Sequence, residues 1–464
     1  MTVERSTART FLFIQIVLLL WWAAFYPGLF SRDSALYLTH TLEGPWVSDH
    51  SVLYDALLWL SVKATGEVGV VTFLQTTAMA AAIAFLAQEL KRLGAPRLPT
   101  TIAAVLLPFA PPFGAFAVTF WKDVPFTACV IAITAVTARI AKDRGPTRAT
   151  LVGLGAAMLG AGLFRANGFL VVAIMVVVLL VIGKGARARL AATGLVAAGV
   201  PVLLTHLVLP QVGIVPPSRT FVYHTAYGDI AVAWKERTDL FTTQDVALMA
   251  EIAPLERWWR GANCNTINPL IWREDFDWRR SDELAPQVMA LWQRILMEAP
   301  DQVIKTRLCR GAIAWRPGAD RWSEGGETYH FSHRWFTWEY VGPYAIERHP
   351  ELESFNLSPL SAPLNDLATR WLWASYEPDL DWLVWRGPIW CYASYLALAV
   401  AALAAGQPVG VRDRGRDDRP ADGGPRQHLR PGLPLHGLAH LHRLPHASPA
   451  RPLLARGTRV NCAE

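Results

Sequence analysis

Charge is what this 464-residue chain has little of. Asp, Glu, Lys and Arg make up 18% of it, where a water-soluble chain carries about a quarter. Cysteine is scarce as well. The five cysteines form no C-x-x-C pair, which removes the zinc and thioredoxin signatures, and Cys129 and Cys391 sit in apolar runs as small hydrophobes. No basic stripe with interleaved stacking aromatics occurs, so a net charge of +6 is no nucleic-acid footprint. The middles of the apolar runs lack charge and no internal repeat is evident, whereas a transporter needs polar groups at mid-membrane and usually repeats. The glycine pairs at 153/155 and 160/162 follow no strand, so small-residue helix packing replaces a nucleotide loop. His330 and His333 have i, i+3 spacing but no third ligand, which leaves metal binding there without support.

What is present is apolar sequence in blocks. Hydrophobic residues reach 52%, concentrated in runs such as 12–25 and 170–182. Only closed helices satisfy the backbone in lipid across such lengths, so the chain reads as an all-α polytopic membrane protein. Eight transmembrane helices are predicted at 11–30, 68–90, 100–120, 124–141, 149–164, 168–183, 190–209 and 388–405. The first is long for a signal peptide and ends in Tyr26-Pro27-Gly28 rather than a small-residue cleavage site, so it reads as an uncleaved span. Pro108, Pro111 and Pro112 break the third. With the N-terminus cytoplasmic, the inner loops carry twelve Lys and Arg against four in the short outer segments. The organisation is then a transmembrane core at 1–210 with a first outer loop at 31–67, an extracytoplasmic domain at 211–387, a last span at 388–406 and a tail at 407–464.

The 211–387 segment holds most of the twenty tryptophans. Leu284, Val288, Leu291, Ile295 and Leu296 recur at helical spacing and predict an amphipathic helix over 283–297. Trp258, Trp259, Trp335, Trp338, Trp371, Trp373, Trp382 and Trp385 read as core, as interfacial anchors or as a sugar platform. Cys264 and Cys309 are the two cysteines of this segment, in a compartment that permits disulfides, and are expected to pair; two separate buried thiols are the alternative.

Polar residues interrupt the apolar pattern at Arg32-Asp33-Ser34, Asp49-His50, Lys122-Asp123 and Arg165-Ala166-Asn167, all at outer ends of spans. Singly, each has a structural reading: Asp33 as a helix cap for an amphipathic stretch at 34–42, Lys122 and Arg165 as snorkelling cations, His50 as a satisfied polar residue. Together, carboxylates and cations on one face suit an anionic phosphate substrate and an acceptor that must lose a proton. A second amphipathic stretch, 50–63, is too short to span, and both stretches suit the interface plane.

The motifs Tyr26-Pro27-Gly28, Asp33-Ser34-Ala35-Leu36-Tyr37 and His50-Ser51-Val52-Leu53-Tyr54 resemble the start of GT-C membrane glycosyltransferases. Within that superfamily, Phe120-Trp121-Lys122-Asp123-Val124-Pro125-Phe126 and Phe164-Arg165-Ala166-Asn167-Gly168 look like an actinobacterial-type branch. The resemblance covers residues 1 to about 185 and extends more loosely to about 405. It implies transfer of a sugar from a polyprenyl-phosphate donor to a glycan, lipid or protein acceptor, with inversion at the anomeric carbon. Asp33 would be the catalytic base. Asp49, His50, Lys122, Asp123, Arg165 and Asn167 would bind substrate, with Lys122 and Arg165 on the leaving phosphate. The sequence departs from the family where Ser34 replaces a second acid and where Ser51 and Val52 replace two prolines. One carboxylate holds a hard cation poorly, so no metal cofactor is expected. Membrane lipid is an expected partner and nucleic acid is not. Rival readings are a transporter or flippase for a lipid-linked anion, and a non-catalytic membrane scaffold.

The tail from Gln407 has no Phe, Tyr, Trp, Ile, Met or Lys but ten Arg, eight Pro and five His. It cannot build a core and reads as disordered. Such composition also arises when a GC-rich gene is read out of frame, and codon freedom lets 427–449 hide an apolar run in the adjacent frame. A genuine basic cytoplasmic tail is the alternative. Resequencing the gene tests this: the frameshift predicts an apolar run without early stops in the alternate frame from about codon 407.

Overall fold

The computed structural model describes residues 2–30, 32–42, 44–143, 145–317 and 358–406. The expectations for Trp335, Trp338, His330, His333 and the 407–464 tail lie outside the described residues. One compact unit runs Met1–Ala404. Among the described residues the chain is all-helical, and extended pairing is confined to two isolated bridges.

The first half consists of α1 (Thr2–Ala24), α2 (Arg32–Leu42), α3 (Val52–Thr65), α4 (Gly69–Leu93), α5 (Arg97–Leu106), α6 (Pro111–Ala117), α7 (Asp123–Asp143), α8 (Arg148–Phe164), α9 (Gly168–Ile182) and α10 (Arg187–Leu203). The eight predicted apolar segments are mainly helical, although 25–30 and 118–120 lie beyond helix ends. Four stretches are long and apolar enough to cross a membrane: Arg5–Ala24, Gly69–Leu93, Asp123–Asp143 and Arg187–Val212. A fifth is the bent pair Arg97–Phe109 and Pro111–Ala117, which turns by 66°. The bend follows from the prolines: Ala110 is extended before Pro111, which has no N–H to continue the first helix and starts the next. Arg148–Phe164, Gly168–Ile182 and Gly387–Val400 are apolar but shorter.

The caps explain the boundaries. Ser51 accepts the Tyr54 N–H to start α3, and Thr147 accepts the Thr150 N–H to start α8. Gly66, in the left-handed region at φ 72°, closes α3. Small residues let the long helices approach. A Cβ on Gly160 would stand 2.7 Å from the Cys129 sulfur of α7, and one on Gly162 would stand 2.9 Å from Pro201 of α10. Gly160 and Gly162 are therefore packing positions, whereas Gly153 faces open space. On α9, Ile174, Val177, Val178 and Val181 recur at helical spacing and are exposed.

After α10 come α11 (Arg219–Glu236), α12 (Thr243–Ile252), α13 (Leu255–Arg260), α14 (Asn268–Ile271), α15 (Trp278–Glu283), α16 (Ala285–Glu298) and α17 (Pro300–Arg310). They enclose a core of their own with Tyr227, Ile230, Trp258, Leu270, Val288, Leu291 and Ile295. The predicted amphipathic helix is α16, which buries Val288, Leu291 and Ile295. The tryptophans divide: Trp258 and Trp385 are buried, whereas Trp259, Trp371, Trp373 and Trp382 are exposed. Helix Ala362–Ala374 returns to α1, where the Leu360 N–H donates to the Ala23 carbonyl and the Asn365 amide to that of Ala24.

Cys264 and Cys309 form a disulfide with 5.7 Å between Cα atoms, tying the α13–α14 connection to the end of α17. It closes a loop of 45 residues, for which the loop-entropy model gives about 4 kcal/mol. Cys309→Ser should lower the thermal midpoint of this segment by a corresponding amount, followed by fluorescence of its tryptophans, while alkylation of the untreated chain leaves both cysteines unmodified. Rapid alkylation of both without reductant would show that they do not pair.

Candidate functional site

Two distant segments are brought together by backbone. The Leu29 N–H donates to the Val118 carbonyl at 3.0 Å, and the Phe120 N–H returns to the Leu29 carbonyl at 2.8 Å. Gly28 permits this approach. Its φ is 154°, and a Cβ there would lie 2.7 Å from Thr72 and Phe120 and 2.8 Å from the Val118 oxygen. Thr72 donates to the Pro27 carbonyl, and the Gln75 amide donates to the Thr119 carbonyl, so α4 holds both segments. The chain then enters α2 at Arg32 and α7 at Asp123 side by side, and Ser34 donates to the Phe120 carbonyl.

Asp33, Tyr37 and His40 follow at i, i+4 and i+7 and share one face of α2. Asp33 Oδ2 accepts from Lys122 Nζ at 2.9 Å and from the Trp121 indole at 3.1 Å. Lys122 also donates to the Tyr37 hydroxyl at 2.9 Å. His50 Nε2 lies 3.7 Å from Asp33 Oδ2, and its Nδ1 lies 3.0 Å from Asp49. Behind them, His40 sits 3.9 Å from Asp49 and 3.2 Å from Asp55. The outcome is a line of alternating carboxylates and imidazoles, Asp33, His50, Asp49, His40 and Asp55, with Lys122 at one end.

Burial pushes the Asp33 carboxyl upward, but the Lys122 ammonium, His50 and the bonds from Lys122 and Trp121 outweigh it, so the carboxyl lies below its ordinary range. Burial lowers Lys122, with Arg165 repelling it and Asp33 opposing the fall. His40 loses basicity through burial but regains more from Asp55 and Asp49, and stands above the ordinary imidazole value.

Asp33, Asp49, His50 and Lys122 line one cavity of about 1020 Å³. Asp123 and Arg165 do not line it. They pair with each other next to Lys122, whose Nζ lies 3.9 Å from Asp123. Asn167 is exposed at the start of α9, where it makes no side-chain cap. His40 and Asp55 were not among the residues expected from the sequence, and Trp121 entered only as part of the Phe120–Phe126 motif; the spacing of His40 from Asp33 is the one signal for it. The far wall was not expected either: Phe221 packs on His50 at 5.7 Å, and Trp272, Trp278, Ser218 and Asn268 reach the same cavity.

Asp33 and Asp49 are the cavity's carboxylates, and both are engaged by basic neighbours. The inner Asp33 oxygen is occupied by Lys122 and Trp121, and His50 stands between Asp33 and Asp49. Among the described residues no group of three or more His, Cys, Asp or Glu is placed to hold a metal.

The His40–Asp55 contact joins α2 to α3 and makes stability depend on pH. A raised imidazole value means stability that is complete below the unfolded value and is lost as pH rises through the folded one. The thermal midpoint should therefore fall as pH rises from neutral to mildly alkaline. Asp55→Asn should flatten that dependence while lowering the midpoint at pH 6. An unchanged slope in Asp55→Asn would remove His40 as its source.

No protein-family model, curated protein or solved structure matches this chain.

Proposed function

We propose that the chain is a polytopic membrane glycosyltransferase of GT-C type. It moves a sugar from a polyprenyl-phosphate donor to an acceptor hydroxyl on the extracytoplasmic face. The observation that carries this reading is the Asp33–Lys122 pair at 2.9 Å on the wall of a cavity large enough for two substrates. A base for the acceptor and a cation for the leaving phosphate are held side by side.

In this reading the acceptor oxygen attacks the anomeric carbon, the bond from that carbon to the phosphate oxygen breaks, and Asp33 takes the acceptor proton. Polyprenyl phosphate leaves with its charge met by Lys122. Arg165 adds to this once it turns from Asp123. A carboxylate held below its ordinary range is a weak base. Donor binding corrects this, because the phosphate draws Lys122 off Asp33 and the carboxylate becomes more basic as the substrates assemble.

An apolar cavity of about 710 Å³ between α3, α4, α7 and α8 supports the lipid half of the donor. Leu57, Leu74, Ala81, Phe85 and Ala128 line it. Tyr54 borders this cavity and packs on Tyr37 of the site at 5.2 Å, and Phe164 borders it one residue before Arg165. In this reading a polyprenyl chain lies there and its phosphate extends past Tyr54 and Tyr37 toward Lys122. The long apolar helices and the exposed apolar face of α9 support the membrane location.

Asp33→Asn should abolish sugar transfer while expression and membrane insertion persist, a loss of about 10²–10⁴ for removal of a general base. Lys122→Ala and Arg165→Ala should weaken donor handling by about 2–5 kcal/mol each if they pair with a desolvated phosphate. The assay is consumption of radiolabelled polyprenyl-phosphate sugars by purified protein. Near-normal turnover by Asp33→Asn would end this assignment, and donor translocation without consumption would favour a flippase.

A further inference from the structure

We infer that Trp272 and Trp278 form a carbohydrate platform, and that the acceptor entering the Asp33 cavity is itself a saccharide. This rests on the glycosyl-transfer reading for the role of the ligand, but the platform stands on its own geometry.

The two indole rings lie 5.1 Å apart at 45°, so together they present an open, angled aromatic surface. Trp272 is 55% exposed although two fully or nearly fully buried residues, Leu270 and Ile271, immediately precede it. Its backbone is fixed, with the N–H donating to the Asn268 carbonyl at 3.1 Å. Trp278 is backed by Phe276, a core residue, with ring centroids 5.6 Å apart at 70°. The Asp277 N–H just before it donates to the Ile252 carbonyl. The pair is thus preorganised on a disulfide-tied, packed segment, and little side-chain entropy remains to be lost on binding.

Among the described residues, most tryptophans use the indole N–H internally. Trp258 donates to Met249, Trp292 to Asp229 and Trp385 to Ser375. Neither Trp272 nor Trp278 donates to any described residue. The Asn268 side-chain amide is likewise without a described partner. The cavity therefore offers flat π faces together with unspent donors and an acceptor amide, beside Asp49 and His50.

A sugar ring matches that combination. Its C–H face is apolar and electropositive and stacks on the negative face of an indole, while its rim of hydroxyls needs donors and acceptors in the same plane. An acyl chain would leave Asn268, Asp49 and His50 desolvated and unpaired, which costs free energy. Tryptophans that only anchor at a bilayer interface would have no reason to share a cavity with two carboxylates, an imidazole and an ammonium. At about 1020 Å³ the cavity holds an acceptor ring on the platform in addition to the donor sugar at Asp33. The transfer then extends or decorates a glycan.

The test uses the full chain in nanodiscs and saturation-transfer NMR with three probes: mannotriose, arabinotriose and chitotriose. At least one should give ring-proton signals with the unaltered chain. Trp272→Ala should reduce them at least 10-fold, Trp272→Tyr should largely restore them, and Asp33→Asn should keep them. Trp272→Ala alters an exposed ring, so an unchanged thermal midpoint separates lost binding from misfolding; Trp278→Ala is the second, more buried variant. Silence toward all three probes, or equal signals from Trp272→Ala, overturns the inference. So does loss of nanodisc insertion by Trp272→Ala with saccharide signals intact, which would make the pair a bilayer anchor. Donor consumption is measured separately on the same samples. Asp33-dependent consumption with no saccharide signal defeats the platform and leaves the transfer reading. Trp272-dependent signals with consumption insensitive to Asp33→Asn defeat the transfer reading and leave the platform.

Discussion

The pair of hydrogen bonds between Leu29 and the 118–120 backbone is the constraint on which the rest of the site depends. It is a single bridge, too short to count as a sheet, yet it sets the register of two segments about 90 residues apart in the chain. Everything that makes this contact tight is specific. Gly28 has no room for a Cβ, Thr72 occupies the Pro27 carbonyl, and Gln75 occupies that of Thr119. The bridge brings the starts of α2 and α7 together, where Asp33 meets Lys122. The Tyr26-Pro27-Gly28 motif therefore matters for geometry first, and for chemistry only through what it positions.

The charges gathered there are costly unless they satisfy one another. Removing one partner of a fully buried ion pair typically costs about 3–5 kcal/mol, because the survivor is left desolvated and unpaired; Asp33, with 38% of its side chain exposed, incurs less than that. The line from Lys122 through Asp33, His50, Asp49 and His40 to Asp55 alternates carboxylates with basic groups, so that each carboxylate has an ammonium or imidazole neighbour. One consequence is that Asp33 is ionised but subdued while it is paired. In the proposed transfer, a donor phosphate that takes Lys122 would free the carboxylate, so the pair that stabilises the resting site also restrains the base.

A second bridge brings the tryptophan-rich segment over this arrangement. The Val215 N–H donates to the Trp46 carbonyl, and the Ser48 N–H donates to the Val215 carbonyl, both at 2.8 Å. It lies a few residues from Asp49 and His50 on one side and from Ser218 and Phe221 on the other. The cavity is consequently built on one side from α2, the first loop and Lys122, and on the other from the later helical segment. That division lets one half hold charged chemistry and the other present aromatic surface, each on its own packed core.

Local pattern was sufficient for the helices. Hydrophobic blocks, the Pro108–Pro112 interruption, the caps at Ser51 and Thr147 and the periodicity of α16 are all contained within a few turns, and each element formed where these signals stood. The residue types of the site were legible for the same reason, since an Asp or Lys flanking an apolar run is conspicuous by contrast. Their grouping was not. Lys122 reached Asp33 while Arg165 turned to Asp123, and Asn167 stayed at the start of α9, although all had looked equivalent at the ends of apolar segments. Trp272 and Trp278 were two among many aromatics until the fold placed them on the same cavity as Asp33. Periodicity reports which face of a helix is buried, a property that repeats every few residues. Which of two polar groups meet is decided by backbone register across the whole chain, and only the tertiary structure carries that information.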